Sequence, residues 1–164
     1  LNAHGIVVAG RTSIGDNRTQ IVETLDRALS QSEIVIITGG LGPTKDDITK
    51  HTLAAYFGSK LVYNEIEAEH IRSLLARRGI EFTELNRGQA MVPECCTVLH
   101  KGYGTAPGIM FIDGEKMAVL MPGVPREMKP MMDNSVMPMR SKLVKGIIVS
   151  RYVRVIGVGE SALE

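Results

Sequence analysis

The chain of 164 residues is 44% hydrophobic, and its 19 Lys and Arg against 18 Asp and Glu leave a net charge of +1. That supports one principal core and gives no long-range field to draw the chain to nucleic acid or to an anionic membrane. Two adjacent cysteines, Cys95 and Cys96, cannot easily staple distant segments and form neither a CxxC spacing nor a Cys/His cluster, which points to a reduced, cytoplasmic setting. No apolar run is long enough to span a bilayer, and Leu1-Asn2-Ala3-His4-Gly5 lacks the charged and apolar regions of a signal peptide.

In chain order, Ile6-Val7-Val8-Ala9 reads as a short strand, followed by a polar loop from Thr12 to Asn17 in which Asp16 or Asn17 can cap the next helix. Ile21, Val22, Leu25, Ala28 and Leu29 recur at helical spacing, and Glu33-Ile34-Val35-Ile36-Ile37 reads as a buried strand, which together predict a βαβ unit and a parallel sheet. After a glycine-rich turn, Leu53, Ala54 and Phe57 give a second helix its apolar stripe, with Gly58 suited to its end. A third helix opens at Asn64, where Glu67 makes a capping-box-like pair, and closes at Gly79. Leu85 to Pro93 shows no clear period, and Thr97-Val98-Leu99 suits a short strand. Asp113-Gly114 between two apolar runs predicts a hairpin of 108–112 with 116–121. Pro122-Gly123-Val124-Pro125 then opens a helix. Seven of the 9 methionines fall between Met117 and Met139, a pattern that belongs to an adaptable core or a subunit interface. From Gly146 the chain reads as a new strand and turn, which divides it into a principal domain over 1–142 and the beginning of a second small domain over 143–164.

The turn Thr38-Gly39-Gly40-Leu41-Gly42-Pro43-Thr44-Lys45-Asp46-Asp47 carries the strongest functional signal. Its glycines let main chain approach a ligand closely, and free amides at a helix entrance favour an anion. It fits neither common phosphate motif: Gly42 is followed by Pro43 rather than Lys, and Lys45 stands where the dinucleotide fingerprint needs glycine. A plain tight connection would use the same glycines. Its place at the carboxyl end of a strand favours ligand binding. Asp46 and Asp47 have two uses, to cap the following helix or, as a pair beside a phosphate, to help hold a divalent cation. Asp16, at the carboxyl end of another expected strand, is a third carboxylate for the same edge. His51 and Glu127 are read as an ordinary solvated or capping histidine and as dipole compensation.

The run from Thr38 to Thr49 resembles the molybdopterin-binding, MogA/MoaB-like domain family, and within it the amino-terminal domain of competence/damage-inducible CinA proteins. The similarity extends through Asn86-Arg87-Gly88-Gln89-Ala90-Met91-Val92-Pro93, Gly104-Thr105-Ala106-Pro107-Gly108 and Met121-Pro122-Gly123-Val124-Pro125-Arg126-Glu127-Met128. Ser150 to Glu164 resembles the start of the small domain that follows in CinA proteins. The resemblance implies a three-layer αβα fold with a mostly parallel sheet, a homo-oligomer and a nucleotide- or pterin-sized pocket. Relatives of this kind begin with a strand, loop and helix that precede the first residue here, and carry a deamidase domain that this sequence does not include.

For chemistry, the resemblance implies metal-dependent hydrolysis of ADP-ribose, with adenylyl transfer to a pterin phosphate as the alternative and a non-catalytic binding and oligomerisation domain as a third reading. Asp47 and Asp16 match acidic positions implicated in the relatives and become the candidate catalytic and metal-holding pair for Mg, Mn or Co. Thr38, Gly39, Gly40, Gly42, Pro43, Thr44, Lys45, Asp46, Pro122 and Gly123 are the candidate substrate-binding residues.

Overall fold

A computed structural model describes residues 6–42, 44, 47–99 and 104–139. Pro43, Lys45 and Asp46, the strand expected after Gly146 and the second domain over 143–164 lie outside the described residues. Helix α1 (Arg18–Gln31) starts where the side chain of Asn17 accepts the Gln20 N–H at 3.1 Å. Its stripe of Ile21, Leu25 and Leu29 is buried. Strand β1 (Ile34–Thr38), helix α2 (Thr49–Tyr56), strand β2 (Leu61–Tyr63), helices α3 (Glu65–Ala76) and α4 (Glu84–Gln89), strands β3 (Met91–Pro93), β4 (Thr97–Leu99), β5 (Gly108–Asp113) and β6 (Lys116–Met121) follow, then helix α5 (Pro125–Met131), a π-helical stretch Met132–Val136 and the short α6 (Met137–Met139).

The principal sheet has the order β1-β6-β5-β4. The α/β class stands, but the sheet is mixed: β1 pairs with β6 in parallel, whereas β6 with β5 and β5 with β4 are antiparallel. Among the described residues antiparallel pairing therefore predominates over the parallel pairing expected. Strand alternation divides the side chains between two cores. Val35, Ile37, Ile109, Phe111, Ala118 and Leu120 face α1 and α2, where Phe57 stacks on Phe111 with centroids 4.3 Å apart. Ile34, Ile36, Met110, Met117, Val119 and Met121 face α5 and the π-helical turn, where Met131 and Val136 are buried. With both faces covered, β5 and β6 read as continuous apolar runs. A fully buried side chain such as Leu120 or Phe111 contributes about 1.5–3 kcal/mol relative to exposure. Met110, Met117, Met121 and Met131 thus belong to the core, one of the two readings that the clustering allowed.

A smaller unit pairs β2 with β3 antiparallel beneath α3, with Ala68, Ile71, Leu75 and Ala90 at its centre. Asn64 caps α3 by accepting the Glu67 N–H at 3.1 Å, and Gly58 and Gly79 both take left-handed φ just past helix ends, as expected. The Asp113-Gly114 hairpin is present.

Two expectations fail. Ile6–Ala9 is not a strand: it is irregular, and Val7 and Val8 are 84% and 52% exposed. No described strand lies alongside it to take its backbone groups, so the extended segment has no ladder to join. The βαβ unit through α1 is absent for the same reason, and the parallel partner of β1 is β6, far along the chain. Residues 84–93, which show no period, form α4 and β3. Each is too short for periodicity to register. No described helix is long and apolar enough to cross a membrane.

Candidate functional site

The glycine loop leaves β1 at its carboxyl end, where the Gly39 N–H donates to the Met121 carbonyl at 3.0 Å and extends the β1–β6 register by one bond. Gly39 and Gly40 have φ of 99° and 67°, and a Cβ on Gly40 would collide with the Thr49 hydroxyl at the start of α2. Leu41, only 3% exposed, anchors the loop in the core shared with α1 and α2. At Gly42 a Cβ would stand 2.5 Å from Asp47 Oδ2. Backbone and carboxylate therefore approach as closely as a missing side chain allows.

Asp47 does not cap α2, contrary to one expected use of the acidic pair. The cap residue of that helix is Ile48, which makes no side-chain hydrogen bond. Asp47 Oδ2 instead accepts the Thr44 N–H at 3.0 Å and the Thr44 hydroxyl at 2.5 Å, folding the carboxylate back over its own loop. Partial burial alone would raise its pKa. Hydrogen bonds from the Thr44 side chain and from the Gly42 and Thr44 backbone, with the charge of Lys50, outweigh that effect and hold it below 3.8. The group is an ionised carboxylate at the lip of the loop.

Three further segments meet here. Gly123, after β6, lies beside Gly39, where a Cβ on it would be in ordinary contact, 3.6 Å from Gly39 Cα. Two residues into α5, the Glu127 carboxylate rests on the α-carbon of Gly104, whose φ is 83°. Beside Gly104, the Thr105 hydroxyl accepts the Gln89 side-chain N–H at 3.1 Å, and Gln89 Oε1 in turn accepts from Asn86 at 3.3 Å. The Lys50 ammonium, on a residue 4% exposed, donates to the carbonyls of Gly88 at 2.9 Å and Met91 at 2.8 Å. These contacts form a closed circuit: Gly39, Gly123, Glu127, Gly104, Thr105, Gln89, Gly88, Lys50 and, through Thr49, back to Gly40.

Of the candidate residues, Thr38, Gly39, Gly40, Gly42, Thr44 and Asp47 are thus contiguous, with Pro122 and Gly123 against them. Asp16 is exposed in a bend before α1, and among the described residues no hydrogen bond or ion pair ties it to the loop. Among the described residues no three His, Cys, Asp or Glu side chains group to hold a metal ion. Lys50, Gln89 and Thr105 were not singled out from sequence. Gln89 and Thr105 stand inside the matched motifs, which was a usable signal, whereas Lys50 looks like any helix lysine. A separate cleft of about 200 Å³, lined by Asp26, Tyr56, Asp113 and Lys116, opens beside the β5–β6 hairpin. Being at the other end of β6 from Met121, it does not adjoin the glycine loop.

A family model described as a probable molybdopterin binding domain matches residues 1–142. A CinA-like protein of Dictyoglomus turgidum is 44% identical over 160 residues, covering 98% of this chain and 39% of its own length. The chain thus spans about two fifths of the curated relatives it matches. A crystal structure of the CinA protein of unknown function from Thermoplasma acidophilum superposes with a TM-score of 0.65 at 30% identity, over 79% of this chain and 73% of that one. A MogA structure, 16% identical with a TM-score of 0.53 over 87% and 83%, shares the fold. The four segments that carry the resemblance all contribute to the circuit around the glycine loop, and the chain belongs to the probable molybdopterin binding domain family, on its CinA branch.

Proposed function

We propose that the glycine loop binds the diphosphate of ADP-ribose or a related nucleotide and that the chain hydrolyses it. The observation that carries this reading is the ionised Asp47 carboxylate held at the lip of a loop with no side chain on Gly39, Gly40 or Gly42. The loop amides that neither Met121 nor Asp47 takes, those of Gly40 and Leu41, would hold the diphosphate with Lys45, and Pro122-Gly123 would form the adjoining wall. Water adds to one phosphorus, the bridging P–O bond breaks, and AMP and ribose 5-phosphate leave. A divalent Mg, Mn or Co ion, when bound, would polarise a phosphoryl oxygen and orient that water. Asp47 fits such an ion as a charged oxygen donor. Asp16 would be the second ligand, a part of the proposal that rests on the resemblance alone.

The test is turnover of ADP-ribose with each ion by the chain and by Asp47→Asn, which keeps an acceptor for Thr44 and removes the charge. A loss of at least 100-fold with the fold intact supports the reading, and unchanged hydrolysis ends it. A second reading, molybdopterin binding with adenylyl transfer, is favoured by the description of the family model, and product formation from molybdopterin and ATP tests it. Binding of ADP-ribose without turnover would support the third, a non-catalytic nucleotide-binding and oligomerisation domain. A cytoplasmic homo-oligomer belongs to all three proposals.

A further inference from the structure

Among the described residues Lys50 is the one buried lysine, 4% exposed, in a helix whose other buried members are Thr49, Thr52, Leu53 and Ala54. Enclosing an ammonium group is unfavourable unless fixed dipoles or charges replace its water. Here two backbone carbonyls do so, 38 and 41 residues away in sequence, at 2.9 and 2.8 Å. A methionine or leucine would fill the same space without that penalty. What the ammonium adds is a link. Its own helix starts at Thr49, which packs on Gly40. The two carbonyls flank Gln89, a side chain 4% exposed that donates to Thr105. One residue further, Gly104 carries the Glu127 carboxylate.

We propose that Lys50 is a positioning residue that sets the separation between the glycine loop and the Gln89–Thr105 pair, so that the two hold opposite ends of one nucleotide-sized ligand. This rests on the nucleotide reading above. The glycine loop takes the diphosphate, and the half-buried Thr105 hydroxyl, which accepts from the buried Gln89 amide and so keeps its own proton to donate, serves the uncharged hydroxyl-bearing part of the ligand. The geometry is set from inside the protein by a group that need not touch the ligand.

The variants are Lys50→Met, which keeps the stem and removes the donors, and Lys50→Gln, a more polar replacement should the first not fold. Each is compared with the parent chain by calorimetry against ADP-ribose and against inorganic diphosphate, and by NMR of the Gln89 side-chain amide without ligand. The expected result is ADP-ribose affinity reduced at least 10-fold with diphosphate affinity changed less than 3-fold, and a displaced Gln89 amide resonance. Equal weakening of both ligands would mean general loosening and overturn the proposal, as would an unmoved Gln89 resonance. Failure of the parent chain to bind either ligand would sink the nucleotide reading, and the ligand-free Gln89 resonance would still decide whether Lys50 holds that side chain in place.

Discussion

The α-carbon of Gly104 lies directly against the carboxylate of Glu127, so that a side chain at 104 would have to turn that carboxylate aside. Gly104→Ala must both adopt a φ of 83° and displace that flexible carboxylate, and a loss of about 1–2 kcal/mol is expected in urea unfolding. Gly114→Ala is the control. Its φ is 59° but its Cβ would meet nothing, so strain alone applies and about 1 kcal/mol is expected. Equal losses in the two variants would show that the Glu127 contact carries no weight.

Asp47 links stability to pH. Its folded-state pKa lies below the ordinary 3.8, so the ionised form favours the native state. That contribution is complete above the ordinary value and disappears as pH falls through the lower folded one. Asp47→Asn should therefore lose about 1 kcal/mol at neutral pH, a modest figure because the group is partly exposed. It should also show a shallower decline than the parent chain on acidification below 3.8. Parallel acid titrations followed by circular dichroism would contradict this if the two slopes coincide.

At the opposite end of the sheet, the Tyr56 hydroxyl donates to Asp26 Oδ1 at 2.6 Å. That hydrogen bond first, then burial and the charges of Asp26 and Asp113, push the phenol up to about 12. A raised value means that the stabilisation is present below the unfolded tyrosine value of about 10 and is lost as pH climbs through 12. Phenolate absorbance should show one tyrosine titrating late, and Asp26→Asn should bring it earlier. Unchanged titration in Asp26→Asn would remove the hydrogen bond as the cause.

Cys95 and Cys96 should react in sequence. Cys95 is exposed, whereas Cys96 packs against the core on the α1 side and burial, with the neighbouring Cys95, raises its thiol to about 11. Iodoacetamide at mildly alkaline pH should add one label quickly and the second at least 10-fold more slowly, since the thiolate is the reactive form. Peptide mass spectrometry showing Cys96 labelled first would refute the assignment.

Elements with a full apolar stripe or a turn residue of known chemistry were legible in the sequence: α1, β1, the β5–β6 hairpin, and the caps at Asn64, Gly58 and Gly79, with Asn17 one of two candidates for the start of α1. Partners were not. The composition of β1 says that it is buried, but not that β6 lies beside it, because parallel pairing is decided by the chain between. Ile6–Ala9 looked like a strand because propensity reports what a segment would do given a neighbour. The segment at 84–89 escaped because Asn86 replaces the usual Glu or Gln in the reciprocal cap with Thr83. At the site, the glycines and Asp47 declared themselves by local spacing. Lys50 with Gly88, and Gln89 with Thr105, join positions 38 and 16 residues apart, a relation that only folding reveals.

The two faces of the principal sheet differ in chemistry as well as in partner. Toward α1 and α2 they present branched aliphatic and aromatic groups, and toward α5 a layer dominated by the thioethers of Met110, Met117, Met121 and Met131. Sulfur is the atom that peroxide attacks, and a sulfoxide is polar and larger. An oxidant able to enter would thus unseat the α5 side, and Glu127 with it, while leaving the stacked rings of Phe57 and Phe111 intact. Damage of that kind would dismantle the rim of the candidate site before it melted the molecule.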